Sequence, residues 1–116
     1  MATRTEDRFG EVSGLGTTYT SVGGPVPAST TWNVLFNVTN VTGANSSLRL
    51  YIADTSWTSG EPTAGTLKVR IAYDLIVAAG ETLQITGFIV KTTEEIVARA
   101  SVAASLDVSA HGVMIT

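Results

Sequence analysis

Residues 32–39 have the sequence WNVLFNVT, in which apolar side chains occupy every second position from Val34 to Val38. Because successive side chains of a β-strand point to opposite faces of a sheet, this alternation predicts a strand with one buried face. The same period recurs in SLRLYIAD (residues 47–54), LKVRIAYDLIV (67–77), ETLQITGFIV (81–90) and SLDVSAHGVMIT (105–116). Together these segments predict an all-β fold.

Three details of the alternation make specific predictions. In residues 67–77 it places Val69, Ile71 and Tyr73 on one face of a strand. Gly87 interrupts the next strand and predicts a β-bulge or a close backbone approach. In the last segment the alternation predicts a change of phase near Gly112. The segment EEIVARASV (94–102) also alternates, and its β-branched residues favour a strand over a helix.

With residues 17–22 included, the sequence predicts about seven to eight strands, at the regular spacing of an antiparallel β-sandwich or jelly roll. A chain of 116 residues is long enough for one such domain and too short for two. Five charged residues lie within the first eleven positions and are followed by a glycine-punctuated stretch. Residues 1–16 are therefore predicted as an extended N-terminal arm, and residues 17–116 as the β-sandwich domain.

Charge and composition argue against several classes of partner. The net charge is −3 and basic residues are scattered singly, so no nucleic-acid partner is expected. The first twelve residues lack the apolar core of a signal peptide, and no apolar run approaches the roughly 20 residues that a membrane helix needs. We therefore expect neither a secretory signal nor a membrane segment. The chain has no cysteine, which excludes disulfides and thiolate chemistry.

Catalysis and metal binding also lack the residues that they require. His111 is the single histidine, and no partner that would make it a general base is evident from the sequence. One histidine without cysteine cannot form a typical zinc site, and the acidic residues do not follow the calcium-loop pattern. The sequence predicts no enzyme, no cofactor and no metal site.

No charged side chain occurs from Val12 to Leu48. Interface cores are depleted in charge, so this run is typical of a face that contacts another subunit. A solvated surface covered by serine and threonine would have the same composition, and both interpretations stay open. Because large apolar side chains carry most interface energy, the predicted contact residues are Tyr19, Trp32, Leu35 and, in the loop of residues 55–66, Trp57.

The order of several short motifs suggests a family. Tyr73-Asp74 is followed by AAGETL (78–83), IVARAS (96–101) and VSAHGV (108–113). Over residues 48–116 the chain resembles small β-sandwich virion proteins of tailed bacteriophages, which are non-enzymatic capsid decorations or neck and tail accessories. The resemblance implies a virion component that is assembled in the bacterial cytoplasm. It also implies other virion proteins as partners, above all the major capsid protein, and a homo-oligomer, with a trimer favoured.

The predicted function is therefore that of a capsid decoration or cement protein. The alternative is a tail or neck accessory, or a receptor-binding module of the virion. In that alternative, Trp57, Tyr51 and Asp54 would form a stacking platform for a glycan.

Overall fold

The computed structural model describes residues 3–116, and these residues form strands without any helix. The strands are β1 (Arg4–Leu15), β2 (Thr20–Pro25), β3 (Thr31–Asn40), β4 (Ser46–Asp54), β5 (Leu67–Val77), β6 (Thr82–Lys91), β7 (Glu94–Ala100) and β8 (Leu106–Ile115). In the part of the chain described, no helix is long and apolar enough to cross a membrane.

The eight strands form two four-stranded sheets. The first sheet has the order β1-β8-β3-β6 and the second has the order β2-β7-β4-β5. Every neighbouring pair is antiparallel. Apart from β4 and β5, which pair within the second sheet, sequential strands alternate between the sheets in the manner of an eight-stranded jelly roll, which confirms the predicted fold class.

Residues 4–15, predicted as part of an N-terminal arm, instead form the edge strand β1. Its pairing with β8 runs from Arg4 opposite Ile115 to Leu15 opposite Leu106. The charged side chains of this segment dominate its composition, but Phe9 and Leu15 are buried in the core. The sandwich therefore begins at β1 and not at residue 17. Met1 and Ala2, the first residues of the predicted arm, lie outside the described residues.

The main core lies between the sheets, and four strands supply it with the predicted alternation. Its fully buried members on β3, β4, β7 and β8 include Phe36, Val38, Leu48, Leu50, Ile96, Ala98, Ala100, Leu106, Val108 and Ala110. The β8–β3 ladder continues past Gly112 without a register shift, and Met114 packs against the core. The predicted change of phase near Gly112 is therefore wrong.

The predicted face of β5 is only partly correct. Ile71 packs against the core and Val69 pairs with the core residue Ile52, but Tyr73 is exposed, and Ala72 and Val77 are buried in the core. The pairing of β5 with β4 contains three register shifts, and Asp74 has a positive φ of 52°. Each shift adds an unpaired residue and turns the following side chains to the other face, so a simple two-residue period does not describe this strand.

The predicted bulge at Gly87 is confirmed. The β3–β6 register shifts between the pairs Val34–Phe88 and Phe36–Ile85, which leaves one extra residue on β6. Gly87 lies in this interval with a φ of 92°, a conformation that favours glycine.

The two lateral sides of the sandwich differ. On the side where β1 and β2 are the edge strands, the backbones of Gly10 and Gly23 approach so closely that a Cβ on either would overlap the other strand. This β1–β2 side is closed by direct backbone contact. On the opposite side the edge strands are β5 and β6.

Candidate functional site

A second apolar cluster lies on the outer face of the second sheet. It consists of the buried residues Tyr51, Ala53 and Val97, with Tyr19, Trp57 and Leu67 partly buried around them. We call it the Tyr51 cluster. Strand β4 is apolar on both faces, because Leu50 and Ile52 face the main core while Tyr51 and Ala53 face outward. The loop of residues 55–66 and the segment before β2 cover the outward face.

Glu61 fastens the loop to this cluster. Its Oε2 accepts a hydrogen bond from the hydroxyl of Tyr51 at 2.9 Å, and its Oε1 accepts one from the hydroxyl of Tyr19. Arg49 Nη1 donates to the same Oε1 at 2.9 Å. Within the loop, Trp57 Nε1 donates to the carbonyl oxygen of Gly60 at 2.8 Å. One carboxylate thus connects the loop with β4 and the segment before β2.

Arg49 connects this carboxylate with β5. Its Nε donates to Asp74 Oδ1 at 2.7 Å and its Nη2 donates to Asp74 Oδ2 at 3.1 Å, which is a bidentate ion pair. The guanidinium carbon lies 4.2 Å from the centre of the Tyr73 ring. The hydrogen bonds from Arg49 hold the pKa of Asp74 below its ordinary value.

The same contacts shift the other titratable groups of the cluster. Burial raises the pKa of Tyr51, and its hydrogen bonds with Tyr19 and Glu61 raise it further. Desolvation alone would raise the pKa of Glu61, but hydrogen bonds from Tyr19, Tyr51 and Arg49 outweigh it and lower that pKa. At neutral pH the cluster therefore holds an ionised Glu61 beside the neutral hydroxyl of Tyr51 and the guanidinium of Arg49.

We expect this network to make the stability of the fold dependent on acidic pH. Glu61 and Asp74 have lower pKa values in the folded protein than in the unfolded chain, so their stabilising contribution is present above the unfolded values and lost as pH falls. Urea unfolding should show a falling free energy of unfolding between about pH 5 and about pH 2.

The variant Glu61→Gln should flatten part of this pH dependence, because it removes one of the two titrating carboxylates. The matched control is Glu6→Gln on β1, since the Glu6 side chain makes no hydrogen bond to any residue from 3 to 116. An equal pH dependence for Glu61→Gln and wild type would contradict the assignment.

A groove of about 510 Å³ lies beside the Tyr51 cluster, and it is lined by Thr17, Thr18, Tyr19, Ser59, Gly60, Glu61 and Arg99. Arg99 is directly opposite Arg49 on the neighbouring strand. Like charges in this position repel, and Arg49 is neutralised by Asp74 and Glu61. Arg99 forms no ion pair within residues 3–116 and lies 5.6 Å from the centre of the Tyr19 ring. The lining of the groove therefore combines one carboxylate, Glu61, with a guanidinium that has no ion-pair partner at close range among the described residues, Arg99.

The outer face of the first sheet has a different character. We call it the first-sheet face. The outward residues of β3 are Asn33, Leu35, Asn37 and Thr39, and none is charged. Across the strands, the Thr39 and Thr82 hydroxyls lie 3.0 Å apart, and Gln84 Nε2 donates to Asn37 Oδ1 at 3.4 Å. A shallow groove of about 730 Å³ crosses this face, and acidic residues of β1 and Asp107 are among the residues that line it.

The structure separates the four predicted contact residues. Tyr19 and Trp57 come together in the Tyr51 cluster, and Leu35 lies half-buried on the opposite, first-sheet face. Trp32 is 4% exposed and stacks on Phe9 with ring centres 4.5 Å apart. It is a core residue that no partner can reach, so its choice as a contact residue is wrong.

The glycan platform of Trp57, Tyr51 and Asp54 does not form. Tyr51 is completely buried beneath the loop, so no ligand can stack on its ring. Asp54 Oδ1 accepts a hydrogen bond from the backbone N–H of Ser56 at 2.9 Å, which lowers the pKa of Asp54 and caps the loop. The residues that line the groove instead include Arg99, whose only signal in the sequence is an outward position on an alternating strand.

His111 lies on β8, where it pairs with Arg8 of β1 and Leu35 of β3. Within residues 3–116, no group of three or more histidine, aspartate or glutamate side chains is placed to hold a metal ion.

No model of a protein family matches this sequence, and no curated protein matches it. Solved structures do resemble it. A protein of Bacillus endospore appendages, described as disulfide-linked pili, has a TM-score of 0.54 at 14% identity and covers 100% of this chain and 90% of its own.

Two proteins of infectious bursal disease virus are also similar. One belongs to the Gx strain, with a TM-score of 0.52 and 10% identity, and the other to the T13 particle, with a TM-score of 0.50 and 12% identity. Each match covers 99% of this chain but only 37% and 30% of the virus proteins. At these identities the likeness concerns the fold alone: this chain shares its all-β architecture with proteins of virus particles and of a pilus.

Proposed function

We propose that this chain is a non-enzymatic structural protein of a bacteriophage virion that decorates or cements the capsid by binding the major capsid protein. Assembly would occur in the host bacterial cytoplasm. The observation that carries the proposal is the first-sheet face, where the outward residues of β3 are all uncharged and the charged residues of β1 lie on an edge strand. An uncharged centre with a charged margin is the arrangement of protein–protein interfaces.

The size of this face suits a specific contact. Strands of ten residues extend for about 33 Å and four paired strands span about 19 Å, which gives roughly 600 Å² before side-chain relief is counted. A standard interface buries about 800 Å² on each partner. The first-sheet face is therefore large enough to bind a flat neighbour without the loops.

Two further points support a structural role. Residues 48–116 resemble phage virion accessories, and proteins that share the fold are described as parts of virus particles and pili. Each of these is a large assembly in which many copies of one chain meet other protein surfaces. The test of this role locates both the chain on the particle and its contact face.

The test is binding to purified phage capsids that lack the chain, measured by co-sedimentation, with cryo-EM to locate the bound density. Leu35→Lys places a charge at the centre of the first-sheet face and should weaken binding by at least about tenfold. Val102→Lys, an exposed apolar residue in the loop after β7, is the matched control and should bind like wild type. Unchanged binding of Leu35→Lys, with its fold intact by circular dichroism, would exclude this face.

A receptor-binding module of the tail or neck is the second candidate, and the groove beside Tyr19 favours it. The guanidinium of Arg99, which forms no ion pair within residues 3–116, and the hydroxyl groups of Thr17, Thr18 and Ser59 could bind a carboxylate-bearing ligand such as an acidic sugar. The same cryo-EM experiment separates the two candidates. Density on the capsid lattice supports decoration, whereas density confined to the tail or neck contradicts it and favours receptor binding.

A further inference from the structure

Exposed apolar side chains are concentrated on one lateral side of the sandwich. Among the described residues, seven large hydrophobic side chains are exposed, and five of them lie on the edge strands β5 and β6. These five are Val69, Tyr73, Leu75, Ile76 and Ile89. Val69 and Leu75 face the interior, whereas Ile76 pairs with Ser47 and Ile89 pairs with Asn33, so these two flank the edge on the outer faces of the two sheets. We call this lateral side, with its flanks, the β5–β6 side. The other two, Val41 and Val102, lie in separate loops.

The core is incompletely covered at the β5–β6 side. Val69 pairs with Ile52 and Leu75 pairs with Leu48, so both face the interior, yet they are 40% and 37% exposed. On β6 the inward residues Leu83, Ile85 and Phe88 are only partly buried. The β1–β2 side shows the contrast, because there the backbones of Gly10 and Gly23 meet and close the sandwich.

An apolar side with exposed edge strands promotes aggregation unless another surface covers it. Edge strands that stay in solvent usually carry charged side chains that discourage pairing. Strand β6 has no charged residue from Thr82 to Val90, and contiguous exposed apolar patches mark interaction surfaces. The composition of the β5–β6 side is therefore that of a protein interface.

We propose that the β5–β6 side binds the same side of a second copy of this chain, related by a two-fold axis. The charges of β5 are complementary under that symmetry. Arg70 forms no ion pair within residues 3–116, and the side chain of Asp74 is half exposed although it also binds Arg49. They lie two residues before and two residues after Ala72, so an axis near Ala72 places each Arg70 opposite the Asp74 of the other copy.

The same symmetry matches two of the apolar residues. Val69 and Leu75 are also equidistant from Ala72, so the exposed Val69 of one copy would lie opposite the exposed Leu75 of the other. The available area is adequate: the eleven residues of β5 extend for about 36 Å. The molecule is 19 Å thick, which gives roughly 700 Å², close to the standard of about 800 Å² on each partner.

This contact is formed by packing of side chains and not by a continuous β-ladder. The three register shifts of β5 disturb the regular spacing of the N–H and C=O groups on its unpaired edge. A two-fold contact uses the same surface on both copies and leaves none free, so it ends at a dimer. This inference does not rest on the proposed function, since purified protein suffices to test it. It replaces the trimer that the family resemblance favours.

The test is sedimentation equilibrium of the purified full-length chain over a broad concentration range. Wild type should be a dimer, Ile76→Lys should weaken the dimer at least about tenfold, and Ile76→Lys with Ile89→Lys should be a monomer. The matched controls, Val41→Lys and Val102→Lys, place the same charge on equally exposed valines elsewhere and should remain dimeric. A monomeric wild type, a trimer, or a dimer indifferent to Ile76→Lys would overturn the proposal.

A second pair of variants tests the position of the axis. Arg70→Asp creates two like-charge pairs with Asp74 and should weaken the dimer at least about tenfold at low salt. Lys68→Asp, two residues away on the same strand, makes the same charge change but would lie opposite Ile76 and should have less than about threefold effect. Equal effects of the two substitutions would exclude an axis near Ala72. Both residues are exposed, so the variants should fold normally.

Discussion

Gly23→Ala is expected to lower the free energy of unfolding by about 3 to 5 kcal/mol, because strain in the backbone and overlap in the packing add. Gly23 has a φ of 90°, which residues with a Cβ rarely adopt. A Cβ at this position would also overlap the carbonyl oxygen of Phe9 on β1. Relief would require β1 and β2 to separate, and these are the strands that close the sandwich on this side.

The neighbouring variant Gly24→Ala separates the two costs. Gly24 has a φ of 74°, but a Cβ there meets no atom within 4 Å. It should therefore lose only about 1 to 2 kcal/mol through backbone strain. Urea unfolding at neutral pH measures both variants, and wild type provides the reference. Equal losses at the two glycines would mean that the close approach of β1 and β2 does not stabilise the fold.

How much of this fold the sequence reveals depends on how each strand is buried. Strands β3 and β8 lie inside their sheet, so each pairs with a strand on both sides. The pairing of β3 with β8 has no bulge and each strand buries one face, so their two-residue period is clear. Strand β5 pairs on one side only and changes face three times. Strand β1 hides two core residues, Phe9 and Leu15, among charged neighbours at irregular spacing. Edge strands tolerate such irregularity because solvent satisfies their free side.

The candidate site was harder to predict than the fold for a related reason. Tyr19 and Trp57 are predicted contact residues because their side chains are large, and the structure does bring them together. The carboxylate that joins them to β4 is Glu61, whose position depends on how a twelve-residue loop returns over the sheet. Neither the spacing between Glu61 and Arg49 nor the residues next to Glu61 in the sequence predict how the loop folds over the sheet. Long-range pairs of this kind follow from the fold and cannot be read from a period.

Trp32→Ala is expected to cost about 3 to 5 kcal/mol of stability, the usual loss when a buried large aromatic is truncated. The indole lies between the sheets and stacks on Phe9 at 4.5 Å with an interplanar angle of 5°. Truncation removes this stack as well as the buried area. Thermal and urea unfolding should both shift strongly to lower stability.

Leu35→Ala provides the comparison, because Leu35 lies three residues along the same strand and faces outward. It should cost less than about 1.5 kcal/mol, since the half-buried side chain leaves no enclosed cavity. If Trp32 were a contact residue, the order would reverse: Trp32→Ala would keep its stability and lose binding to partners.

The Phe9–Trp32 stack also explains why residues 4–15 are a strand. Phe9 anchors β1 over Trp32, so a Phe9→Ala, Trp32→Ala double-mutant cycle should give a coupling of about 0.5 to 1.5 kcal/mol. Zero coupling would mean that the ring stack does not hold β1, which would then depend on its pairing with β8, the buried Leu15 and the close approach to β2.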